Sequence, residues 1–144
     1  MIKTKSERGQ SLVEFAISLT IILWLLAGAV EFGIALFQYI QLRDAAQEGA
    51  LYGSINPIDD TGIEARVRAA STSPIDLVND PGVVVEITYP DGTCSVADSV
   101  KVRVEYPHRI FMPFGTLFTG GSQFINLGAE VTDTILNTTS PTCP

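Results

Sequence analysis

Apolar residues run almost unbroken from Phe15 to Val30, sixteen positions without a charge, and continue past Glu31 to Phe37. Phe15 to Phe37 is 23 residues, enough for a helix to cross a bilayer, which takes about 20. From Gln38 the pattern changes but the rhythm stays helical. Gln38, Gln41, Arg43, Asp44, Gln47 and Glu48 alternate with Ile40, Leu42, Ala45, Ala46 and Leu51. One helix from about Ser11 to Tyr52 accounts for both parts, with Gly53 as its C-terminal stop.

Turn residues fill Ser54 to Thr61, and Ile63–Ala70 follows as a short helix capped by Thr61 or Asp60. Its apolar face is Ile63, Val67 and Ala70. Val83 to Tyr89 is β-branched and reads as a strand. Ser99 to Tyr106 alternates, with Val100, Val102, Val104 and Tyr106 inward and Lys101, Arg103 and Glu105 outward. The two pair as an antiparallel hairpin with an enlarged loop. Pro107 then ends the pairing, Phe111 to Gly121 is an apolar excursion, and Phe124 to Leu136 supplies a third strand. The expected fold class is α+β: a long N-terminal helix, half in membrane, leading to a small antiparallel sheet with a short helix on it. Three segments follow: a leader over 1–9, a helix over 10–53, and a head over 54–144.

Charge fixes the orientation and narrows the function. The net charge of −7 argues against a nucleic-acid partner, which calls for a basic surface. Lys3, Lys5 and Arg8 precede the apolar run, so the N-terminus should stay cytoplasmic and the C-terminus lie outside in a single-pass membrane protein. Ala27-Gly28-Ala29 imitates a signal-peptide cleavage site, but the apolar run continues beyond it, which favours a retained helix. The lone histidine, His108, stands beside Pro107 with no GxSxG elbow anywhere in the chain, and reads as a surface-loop residue. Asp59-Asp60 with Glu64 lacks the ligand ladder of a calcium loop and reads as a solvated acidic loop. The expectation is no catalytic site, no metal and no cofactor. Cys94 and Cys143 show no CxxC pattern. Both fall on the outer side, where a disulfide between them would persist, although sequence separation does not settle their distance.

Two carboxylates in a membrane-length helix need a reason. Seventeen residues separate Glu14 from Glu31, about 25 Å along a helix, so each lies near one interface. Neither has a basic residue at i±3 or i±4. A strong partner is expected from another chain or from the chain's own processed terminus, unless the carboxylates merely reach headgroups. Small residues form two rows. Ala29 and Gly33 suit packing against another chain's helix, and Ala45, Gly49 and Gly53 suit packing against the chain's own head. Phe111, Met112, Phe114, Leu117 and Phe118 either cap the sheet core or form an exposed patch that docks on a neighbour.

Gly9 followed by Gln10-Ser11-Leu12-Val13-Glu14-Phe15 resembles a prepilin peptidase site, cut after glycine with glutamate fifth in the mature chain. Glu31-Phe32-Gly33, then Ala35-Leu36-Phe37, then Ala45 to Gly53, resembles the TadE-like family, minor pilin-like subunits of tight-adherence pili. The resemblance is strong over roughly 8–53 and looser through Val104-Glu105-Tyr106-Pro107. It implies cleavage between Gly9 and Gln10 by a prepilin peptidase, a retained helix, and an outer head that joins other pilin or pseudopilin subunits and the pilus assembly machinery. Glu14 and Glu31 would be assembly residues. The family often carries a basic residue after the glycine of Glu-Phe-Gly, where this chain has Ile34, so intrahelical neutralisation of Glu31 is missing here. Two other readings remain: a main filament subunit, or an unprocessed bitopic membrane protein with an extracytoplasmic binding domain.

Overall fold

The structure is a computed structural model, described over residues 7–112, 115–117, 119–138 and 142–144, with side chains from Gly9 onward. Met1 to Ser6 of the leader, together with Pro113, Phe114, Phe118 and Thr139, lie outside the described residues.

Helix α1 spans Glu7–Ile55, 49 residues, about 74 Å at the helical rise. Up to Val30 it is almost wholly exposed, Glu31, Ala35, Gln38 and Gln41 are partly covered, and from Leu42 one side is fully buried through Ala45, Ala46 and Ala50. Gly53 does not stop the helix, contrary to expectation, because it is there for space. A Cβ at Gly53 would lie 3.0 Å from Ile63 Cδ1 and 3.1 Å from Val100 Cγ2. The helix ends two residues later, where the Ser54 carbonyl accepts from the Leu136 amide at 2.7 Å and Pro57 forbids continuation.

Helix α2 spans Asp60–Ala69 and is capped by Asp59 rather than by Thr61 or Asp60. The Asp59 carboxylate accepts from the Gly62 amide at 3.0 Å, as an N-cap acceptor does. Ile63 and Val67 are buried on α1, whereas Ala70, past the end of the helix, is exposed.

Strands β1 (Val84–Thr88), β2 (Ser99–Arg109) and β3 (Phe124–Thr134) form an antiparallel meander in that order. Val102 stands opposite Ile87 on one side and Val131 on the other. Val100, Val102 and Val104 are buried, the outer third of α1 packing across them with α2 beside it. The fold is α+β as read from the sequence, and its core draws on both sides of residue 53.

Pro107 does not end the pairing. It stands opposite Asn126 inside β2, which continues to Arg109 opposite Phe124. Pairing with β1 stops at Glu105 opposite Val84, so from there β2 has a free edge, the one place a strand tolerates proline.

Candidate functional site: the exposed helix and its tie to the head

The inner part of α1 presents its apolar side chains outward all round. Leu12, Phe15, Leu25 and Phe32 are each about two-thirds exposed. Of the candidate membrane span, none of the most apolar 18-residue window is buried in the chain. Burying one large aliphatic or aromatic side chain is worth about 1.5–3 kcal/mol, so a helix this apolar requires lipid or other helices around it.

Gly9 and Gln10 sit exposed in the first turns of α1, and a Cβ at Gly9 would meet nothing within 4 Å. Glu14 lies on the same side as Gln10, as i and i+4 require. It is exposed, with no hydrogen bond or ion pair inside the chain among the described residues. Ala29 and Gly33 are exposed too, and nothing lies within 4 Å of a Cβ built on Gly33. The outer small residues behave differently. Ala45 is fully buried, and a Cβ on Gly49 would approach Val67 Cγ2 to 2.5 Å, so Ala45, Gly49 and Gly53 admit the head's own side chains.

Glu31 has its partners within the chain, contrary to the expectation of a second chain or a processed terminus. Its Oε1 accepts from His108 Nε2 at 2.8 Å. Its two oxygens also receive the backbone amides of Phe111 at 3.1 and 3.2 Å and of Met112 at 3.1 Å. His108 is not on a surface loop. It is 1% exposed, and its Nδ1 lies 2.5 Å from the Gln38 side-chain oxygen. A carboxylate only accepts, so Nε2 carries the proton shared with Glu31. The Gln38 amide offers a donor or an acceptor to Nδ1 according to its orientation. Ring and carboxylate are therefore both satisfied, the condition for burying them.

Sequence reasoning missed His108 and Gln38 as partners of Glu31. The signal was present: inward positions 100, 102, 104 and 106 continue to 108 at the strand period. Stopping the strand at Pro107 concealed it.

The outer end of α1 is fastened by polar contacts. The Tyr52 hydroxyl donates to Asp59 at 2.9 Å, and the Tyr89 hydroxyl donates to Asp60 at 2.6 Å. The bond from Tyr52 holds the Asp59 carboxyl below its ordinary range, helped by the Gly62 amide and Thr61. Burial pushes the Tyr89 phenol above its ordinary value, and its bond to Asp60 pushes the same way. Asp59, Asp60 and Glu64 thus serve as cap, tyrosine acceptor and partner of Arg68 at 2.8 Å. No cluster able to hold a metal occurs among the described residues. Cys94 and Cys143 are disulfide-bonded, with Cα atoms 5.3 Å apart.

Residues 9–51 match the family model of TadE-like proteins. This segment is TadE-like. The match begins at Gly9 and ends where α1 has entered the head's core. It therefore covers the anchor, Glu14, Glu31 and Gln38, and leaves His108 and the sheet outside. No curated protein and no solved structure matches the chain.

Proposed function

We propose that this chain is a minor, pilin-like subunit of a tight-adherence pilus, held in the membrane by α1 and cut between Gly9 and Gln10 by a prepilin peptidase. The observation that carries the reading is a TadE-like helix, bare over its inner half, where Glu14 has no hydrogen bond or ion pair among the described residues. Lipid covers such a helix before assembly, and neighbouring subunits cover it afterwards. Glycine weakens the helix at the Gly9–Gln10 bond, so a peptidase can draw the backbone into an extended form.

Cleavage creates an α-amino group on Gln10, mostly cationic at neutral pH. Glu14 is one turn away on the same side of α1, about 6 Å along the axis. It pairs with that amine in its own chain or, in a staggered array, with the amine of the next. The bond between Glu31 and His108 acts differently, holding the head at a set orientation on the helix. No enzymatic role is assigned to the chain, whose chemistry is cleavage and cysteine oxidation.

The test is Glu14→Val. The variant should insert and be cut normally yet be absent from assembled pili or their basal machinery. Normal piliation by a processed Glu14→Val protein would refute this role.

A further inference from the structure

We infer that the membrane-proximal rim of the head dips into the outer leaflet of the bilayer that α1 crosses. The inference rests on the reading of α1 as a membrane span and goes beyond it, since it assigns a lipid-binding surface to the head.

Depth is the first argument. The uncharged run of α1 ends at Val30, and Glu31 marks its outer boundary. The loop after β2 reaches back past that boundary: a Cβ on Gly28 would lie 3.6 Å from Met112 Sδ. Gly28 is three residues, about 4.5 Å, to the membrane side of Glu31. Phe111 and Met112 also line a shallow apolar groove with Leu26, Val30 and Ile34. The loop therefore lies level with the last turn of the span.

The chemistry of the rim is the second. Phe111 is 68% exposed and Leu117 77%. Phe124 and Ile125, which open β3 opposite Arg109 and His108, are exposed at the same end of the sheet. Backbone donors are unwelcome at this depth unless satisfied by protein. Here the Phe111 and Met112 amides turn inward to Glu31, while the Phe111 side chain is exposed and the Met112 side chain lies against α1 at Gly28. That division, apolar groups outward and polar backbone inward, suits lipid rather than water. Arg109 is exposed, with its guanidinium 5.9 Å from the Phe111 ring centroid. An arginine beside an inserted aromatic reaches headgroup phosphate while its stem stays apolar. The occupant is thus a phospholipid surface, and Glu31 with His108 holds the rim against it.

The experiment uses the full chain in phosphatidylcholine–phosphatidylglycerol vesicles carrying bromine on the upper acyl carbons, with Trp24→Phe to clear the background. Phe111→Trp and Leu117→Trp each place one indole on the rim. Leu136→Trp places a control beside Ser54, about 35 Å further along α1. The expected result is emission that is blue-shifted and lost to brominated lipid at positions 111 and 117, but not at 136. In the parent chain Trp24 reports the span. If Trp24 is quenched by brominated lipid while both rim indoles respond only to aqueous acrylamide, the span stands and the rim inference is overturned. Rim indoles shielded from both quenchers would mean that a second copy covers the rim, which also overturns it. A Trp24 untouched by brominated lipid would overturn the membrane reading and this inference together.

Discussion

Glu31 and His108 meet at 2.8 Å across 77 residues of chain, one just past the uncharged run of α1 and the other near the end of the central strand. Both are largely withdrawn from water, the histidine at 1% and the glutamate side chain at 15% exposed. The pair closes the head onto the membrane end of α1, whereas the hydrophobic core fastens only the outer third.

Removing both members should therefore cost less than the sum of removing each alone. Glu31→Ala leaves a buried ring nitrogen and two backbone amides without their acceptor, which should cost about 1–3 kcal/mol. His108→Ala should fall in the same range. The double variant should lose less than the sum, the mark of direct coupling. Denaturant unfolding of the four proteins in detergent checks this, and strict additivity would contradict it.

The two rows of small residues should respond oppositely to a methyl group. At Gly49 a Cβ would press on Val67 Cγ2 at 2.5 Å and Val102 Cγ1 at 3.3 Å, side chains that are stiff and buried. Overpacking costs about 1–3 kcal/mol, against a helix-propensity gain of about 0.5–1 kcal/mol, so Gly49→Ala should lower head stability. Gly33→Ala meets nothing within 4 Å and should leave head stability unchanged in thermal unfolding. Any effect it has should appear only in assembly.

The disulfide should matter chiefly for the tail. It joins Cys94, fully buried, to Cys143 over a separation of 49 residues, for which loop entropy suggests about 4 kcal/mol. Cys143→Ala should lower the unfolding midpoint and open the chain beyond Ile135 to proteolysis, with the helix intact by circular dichroism. Equal protease resistance in both proteins would contradict this.

Alkaline conditions should loosen the outer end of α1. Burial, and with it Asp60, pushes the Tyr89 phenol above its ordinary value, so the fold favours its protonated form. That contribution is complete below about pH 10 and is lost as pH rises from there through the folded value. Tyr89→Phe should show a shallower fall in stability over this window than the parent. A parallel fall in the two would contradict the assignment.

Much of the fold was legible because its signals are local. The uncharged run from Phe15 to Val30, the alternation from Val100 to Val104 and the β-branched stretch at Val84 need no tertiary information. The errors share a cause, residues whose role is set by distant neighbours. Gly53 has the composition of a helix stop, yet it is small because Ile63 and Val100 sit on it. Pro107 has the composition of a strand end, yet it is tolerated because β1 has already finished. Gln38 stands two turns past Glu31 on the same face of α1, and His108 continues the inward alternation of β2, but no local spacing joins the strand residue to a helix 77 residues away. For the inner half of α1 the position is reversed. The sequence marks Gly9, Gln10 and Glu14 through a resemblance, while among the described residues no hydrogen bond or ion pair reaches Glu14.

The most direct test of the central claim is the N-terminus of the protein taken from its native membrane, read by intact mass and terminal sequencing. On the proposed function the protein should begin at Gln10, lacking Met1 to Gly9. Gly9→Val should instead hold the full-length precursor in the membrane, because a branched side chain covers the backbone that the peptidase must approach. A native protein that retains Met1 to Gly9 would contradict the account.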